Sequence, residues 1–164
     1  MNFLCAILLN FKNMIQGKNM RNLILMILIL VSLLSAANED STGTIIIEMT
    51  NFKNDNGKVR VSLFRSDDGF PEDYNKAVTY INQTIVDGKS RVVFEKIPYG
   101  EYAIGFLHDE NLDSKLNTNW LGMPKEGIAA SNNAKGRFGP PDFEDARFTL
   151  NKDTLLQVIK IEYL

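Results

Sequence analysis

The chain has 164 residues, 45% of them hydrophobic and 23% charged, with 18 basic against 20 acidic side chains and a formal charge of −2. That balance, with no basic stripe along the sequence, argues against phosphate-backbone binding, which relies on clustered Lys and Arg to displace counterions. A single cysteine, Cys5, and a single histidine, His108, exclude a disulfide framework and a thiolate or multi-histidine zinc site.

The first 37 residues differ in kind from the rest. They hold no acidic residue and place Lys12, Lys18 and Arg21 ahead of the apolar run Leu23 to Leu34. Twelve residues are too few to span a bilayer as a helix, which needs about 20. The run ends in Ser35-Ala36-Ala37, so residues 1–37 are expected to be a cleavable secretory signal, and Met20-Arg21 marks residues 1–19 as a candidate mis-called start. Cleavage removes three basic residues and no acidic one. Residues 38–164 are then a single exported domain with a charge of −5, periplasmic or secreted, with no membrane span and no nucleic-acid partner.

From Gly43 onward the period is two, the spacing of one strand face. Thr44 to Thr50 and the alternating Val59, Val61, Leu63 flank Asn54-Asp55-Asn56-Gly57, which predicts an antiparallel hairpin. Val78 to Val86 and Ser90 to Phe94 flank Asp87-Gly88, which predicts a second, its first strand wet on one face or one edge. Pro98 and Gly100 suit a turn from which Glu101 to His108 returns as a strand. Tyr102 in that strand is either a corner tyrosine, with its ring in the core and its hydroxyl on loop backbone, or a half-buried aromatic. Ala146 to Leu150 and Ile159 to Tyr163 alternate around a turn at Asn151 to Asp153. Seven strands and no amphipathic helix predict an all-β, seven-stranded antiparallel sandwich.

Residues 109–144 break this pattern. Thirty-six positions carry no sustained period, although loops beyond about 15 residues are usually functional or disordered. Trp120, Leu121, Met123, Ile128, Phe138 and Phe143 would leave too much apolar surface in water if disordered, so one long ordered loop is expected to fold back over an end or face of the sandwich.

The residues HDEN, Asn117-x-Asn119, LGMPKEG, SNN and GPPDFEDARF, in that order after IPYGEYAI, resemble the exported bacterial proteins of domain of unknown function 2141. The resemblance covers about Gly43 to Tyr163. It implies a prealbumin-like or transthyretin-like β-sandwich in the bacterial envelope and supplies no established activity. Where the family often has Gly and Asn after HDEN and an Asp before Thr-Asn, this chain has Leu112, Asp113 and Asn117, which moves a carboxylate within the loop.

Several constellations could carry function. Asp109, Asn111, Asp113, the carbonyl of Lys115 and Asn117 offer oxygen donors at positions 1, 3, 5, 7 and 9 of a calcium loop, with Glu126, Asp142 or Glu144 available to complete the shell. Position 6 is Ser114 in place of Gly and position 12 is Trp120 in place of a carboxylate, so local turn chemistry is the competing reading. His108 with Asp109, and Ser131 or the Asn132-Asn133 region nearby in sequence, would be the centre of a hydrolase, although Ser131 lacks a nucleophile-elbow context and the transthyretin-like ureide hydrolases use several histidines. The competing role for His108 is an imidazole that fixes the loop by a hydrogen bond. Gly122 to Gly127 lacks the Gly-Lys-Ser/Thr of a phosphate loop. Trp120, Tyr99 and Phe138 form either an aromatic ligand platform or plugs for the end of the sandwich.

The expectation is therefore a non-catalytic binding or accessory module of the envelope. Its contact surface would be the long loop, with His108, Trp120, Glu126, Asn132 and Asn133 as ligand-facing residues and an envelope protein or small ligand as partner. A hydrolase centred on His108 and Asp109, or a purely structural envelope protein, are the alternatives.

Overall fold

A computed structural model describes residues 41–137 and 139–163, together with Leu25 and Ile27. The expected signal segment and Phe138 therefore lie outside the described residues. Residues 41–164 form one compact unit.

Eight strands make two sheets. They are β1 (Thr42–Thr50), β2 (Lys58–Phe64), β3 (Thr79–Gln83), β4 (Ser90–Pro98), β5 (Gly100–Asp109), β6 (Gly127–Ala130), β7 (Phe148–Leu150) and β8 (Thr154–Lys160). One sheet has the order β4-β1-β8 and the other β3-β2-β5-β6, with β7 pairing the start of β5. A four-residue helix, α1 (Phe143–Ala146), precedes β7.

The core lies between the sheets. Ile45, Ile47 and Met49 of β1 and Val92 and Phe94 of β4 face Val59, Val61 and Leu63 of β2 and Tyr102, Ile104 and Phe106 of β5. These are the alternating positions of each strand, which point to one face of a pleated sheet. Tyr102 is a corner tyrosine. Its ring is buried in this core and its hydroxyl donates to the Pro98 carbonyl at 2.8 Å.

Three expectations are corrected. Neither predicted hairpin forms a ladder: β1 pairs with β4 and β8, whereas β2 pairs with β3 and β5. The apolar faces of β1 and β2 meet across the core instead of side by side, and residues 51–57 cross from one sheet to the other. The Asp87-Gly88 turn has the expected positive φ values, 52° and 68°, but only Val86 and Lys89 bridge across it before the strands part to opposite sheets. Asp55 ties the two crossings together by accepting from the amides of Asp87 and Gly88, both at 2.9 Å.

The sandwich is also not wholly antiparallel. β8 runs parallel to β1, from Thr44 opposite Thr154 to Thr50 opposite Lys160. Finally, the described residues form eight strands, because the long segment contributes β6. Its sequence Gly-Ile-Ala-Ala is too short and too small for a visible alternation. β3, expected to have a wet face or edge, is the outer strand of its sheet.

The second sheet is covered on its outer face as well. Residues opposite one another in register share a face, so Arg60, Leu107 and Ile128 form one outward row, and Ser62, Gly105 and Ala130 the next. Toward α1 a small second core covers this face, with Ala103, Ala130 and Ala146 packed by Phe70, Ala134 and Phe143. Phe64, Phe70 and Phe143 meet edge to face in succession. Gly105 is required here, since a Cβ would strike the Pro71 carbonyl that lies over it.

Candidate functional site

Asp109 is the last residue of β5 and opens the excursion that returns at β6. It is only 4% exposed. Its Oδ1 accepts from the Asp113 amide at 3.2 Å and its Oδ2 from the Ser114 amide at 2.9 Å. The Arg60 guanidinium lies 3.7 Å from the same Oδ2. Arg60 is itself buried, donates to the Ser114 carbonyl at 3.1 Å and to Asn82 at 3.3 Å, and stacks 4.1 Å from the Tyr74 ring centroid.

Glu126, at the other end of the excursion, is equally buried at 4% and accepts from the amides of Glu110 (3.2 Å) and Asn117 (2.9 Å). Two buried carboxylates thus hold four loop N–H groups. Buried polar groups need such partners, and a carboxylate that accepts from an N–H makes a stronger bond than a neutral acceptor does.

The other expected calcium donors sit on the exposed side of the same loop, where they bond to one another. Asn111 and Asn117 both donate to Asp113 Oδ2, at 3.0 and 2.8 Å, and Asp113 Oδ1 accepts from the Lys115 amide at 2.8 Å. These donors, Asn117 first, hold the Asp113 carboxyl below its ordinary pKa. The Lys115 carbonyl lies 3.5 Å from Asn117 Nδ2. Among the described residues, no three His, Cys, Asp or Glu side chains gather in a metal-binding group.

His108 is fully buried with both ring nitrogens occupied. Nε2 lies 2.7 Å from the Asn56 carbonyl, which can only accept, so Nε2 carries the proton. Nδ1 then accepts from the Tyr163 hydroxyl at 2.6 Å, and that oxygen accepts in turn from the Lys53 amide. Burial raises the pKa of the Tyr163 phenol and keeps it a donor. The imidazole is a brace between β5, the first crossing and the chain end, with Phe52 edge-on at 5.2 Å. Nearby, burial tends to raise the Glu110 carboxyl, but Asn54 and Lys53 outweigh it and leave its pKa lowered.

Ser131 and the Asn132-Asn133 pair are stitches as well. Ser131 Oγ is buried, accepts from the Ile104 amide at 2.9 Å and donates to the Ala146 carbonyl at 2.6 Å. Asn132 donates to the Ala146 and Arg147 carbonyls. Asn133 imitates a neighbouring strand: its Nδ2 donates to the Val158 carbonyl and its Oδ1 accepts from the Lys160 amide, closing the free side of β8.

The tip of the excursion is built differently. Asn119 organises it, its Oδ1 accepting from the amides of Leu121 (2.9 Å) and Met123 (3.0 Å), while its own amide donates to the Met123 carbonyl. A bridge between Thr118 and Pro124 closes the hairpin. On it, Trp120 is 90%, Leu121 65% and Met123 44% exposed. The expectation that these side chains fold back onto the sandwich is therefore corrected, because the turn that Asn119 imposes points them outward. They are not plugs. Tyr99 does not join Trp120 on a platform: it packs half-buried against the core just before β5, whereas Trp120 stands exposed on the hairpin that follows β5. Tyr99 instead donates to Asp153.

Sequence reasoning missed one feature. A groove of about 630 Å³ lies over the outward rows of the second sheet. It is lined by Leu107 and Ile128 of the outward row, by Pro71 and by residues 114–116. Ser62, Gly105 and Ala130 form the next row, the glycine lying beneath Pro71, and their registration is visible only once β2, β5 and β6 are paired.

No curated protein and no solved structure matches the chain. Residues 47–157, well over half of the sequence, match one family throughout the two-sheet unit. The chain belongs to the family of uncharacterized proteins conserved in bacteria, DUF2141.

Proposed function

We propose that this protein is an exported, non-catalytic binding module built on a prealbumin-like sandwich, and that residues 118–124 are its contact surface for a protein partner in the cell envelope. The observation that carries this reading is the exposed Trp120, Leu121 and Met123 on a hairpin whose base is braced from inside by Asp109 and Glu126. Large aromatic and apolar side chains held rigidly in water are the usual anchors of interfaces, because little conformational freedom is lost when they are covered. Export rests on the basic and apolar composition of residues 1–37. The hydrolase alternative gains no support from His108, whose two nitrogens already bond to Tyr163 and Asn56.

The test is site-specific photo-crosslinking in the native host, with p-benzoyl-phenylalanine at position 120 and, as control, at the exposed Val86. A discrete crosslinked product from position 120 alone is expected. Its absence, or equal products from both positions, overturns the reading. Sequencing the N-terminus of the exported protein checks export, with Asn38 as the expected first residue.

A further inference from the structure

We propose a second site, separate from the hairpin tip: the groove on the outer face of the second sheet takes a small amphipathic anion of the fatty-carboxylate class. Its volume, about 630 Å³, lies within the range of ligand pockets, roughly 300–1,000 Å³. Leu107 and Ile128 offer half-exposed apolar surface in it, which suits an aliphatic body.

The charges lining it select the headgroup. Arg60, Lys115, Lys135 and Lys160 face only Glu72 and Glu162, in a domain whose expected net charge is −5. Arg60 is neutralised by Asp109, and Lys135 by Glu162 at 2.5 Å. Lys115 and Lys160 have no ion-pair partner among the described residues, and neither has Glu72, so one positive charge is left in surplus. Both lysine side chains line the groove, so an apolar ligand seated in it displaces water beside them, a cost that a neutral or cationic ligand leaves uncompensated. A ligand carboxylate offsets it with charge-assisted hydrogen bonds.

The experiment is calorimetric titration of the protein, expressed from its full-length chain, with decanoate and with decyltrimethylammonium. Saturable binding of decanoate and none of the cation is expected. The double variant Lys115→Glu/Lys160→Glu changes exposed side chains that hold no ion pair, so it keeps the fold, and it should weaken decanoate by at least about tenfold. A tip variant with Trp120, Leu121 and Met123 all changed to Ser should bind decanoate as the parent does. No saturable decanoate binding, comparable binding of the cation, undiminished affinity in the double variant, or loss of binding in the tip variant would each overturn the proposal. The crosslinking result at position 120 is independent of all four.

Discussion

The base and the tip of the excursion between β5 and β6 are made of neighbouring residues, yet they are built on opposite terms. At the base, Asp109 and Glu126 are charged and almost wholly buried, and at the tip Trp120 is almost wholly and Leu121 largely exposed. The inversion has one cause. A strand-to-strand excursion of this length has many amides and only a short ladder near its tip to satisfy them, so at the base the acceptors come from side chains, and carboxylates accept two N–H groups each. Once the base is held in this way, the tip needs no contact with the core to stay folded, and its apolar residues are free to face outward.

Breaking the base should therefore cost stability, and breaking the tip should not. The largest effect is expected for Asp109→Ala, which leaves Arg60 as a buried unpaired charge and orphans the Ser114 amide, while the Asp113 amide keeps Asn111 Oδ1 as its acceptor. Removing one partner of a buried pair typically destabilises by about 3–5 kcal/mol, to be read from urea unfolding. Glu126→Ala orphans two amides without stranding a charge and should cost about 1–3 kcal/mol, with Glu126→Gln recovering part of it. Trp120→Ser should change stability by less than about 0.5 kcal/mol while abolishing the crosslinking partner's binding; a larger loss of stability would mean that the tip packs onto the sandwich.

Two smaller tests sharpen the contrast within the base. The Asp113 carboxyl has a lowered pKa in the folded state, so its contribution is present at neutral pH and is lost as pH falls below about 4, through its folded pKa. Asn117→Ala removes its largest stabilising donor and should raise that pKa toward the ordinary value, as followed by carboxyl NMR titration. Under the proposed reading the loop carboxylates brace amides and hold no cation, so thermal melts in excess calcium and in chelator should coincide. A site filled to about 100 times its Kd would instead add about 2.7 kcal/mol.

Legibility followed the range of the interaction responsible. The alternation of Ile45, Ile47 and Met49, or of Val59, Val61 and Leu63, reads directly as strands with a buried face, and Tyr102 bonds to backbone only four residues away. The second half of the chain was harder. Leu155 to Val158 belong to β8, but Leu156 and Val158 keep apolar side chains on the outer face, so period two loses its contrast there and the strand was expected to start at Ile159. The candidate site was legible in its residue types and not in their roles. His108, Asn132 and Asn133 look like ligand-facing chemistry in sequence, and their partners, at Asn56, Tyr163, Ala146 and Lys160, lie between 14 and 55 positions away.

By itself the sequence determined that the domain is β-rich, where most strands lie, which faces they bury, and where the chain turns, because side-chain alternation and positive-φ turn residues act within a few positions. Only the tertiary structure decided which strands pair, that β8 runs parallel to β1, that both expected hairpins cross between sheets, and that a groove opens beside Leu107 and Ile128. The physical reason is that a ladder is made of backbone groups common to every residue, so one apolar strand can pair with another in either sheet. The choice falls to packing across the core, where side chains far apart in the chain first meet.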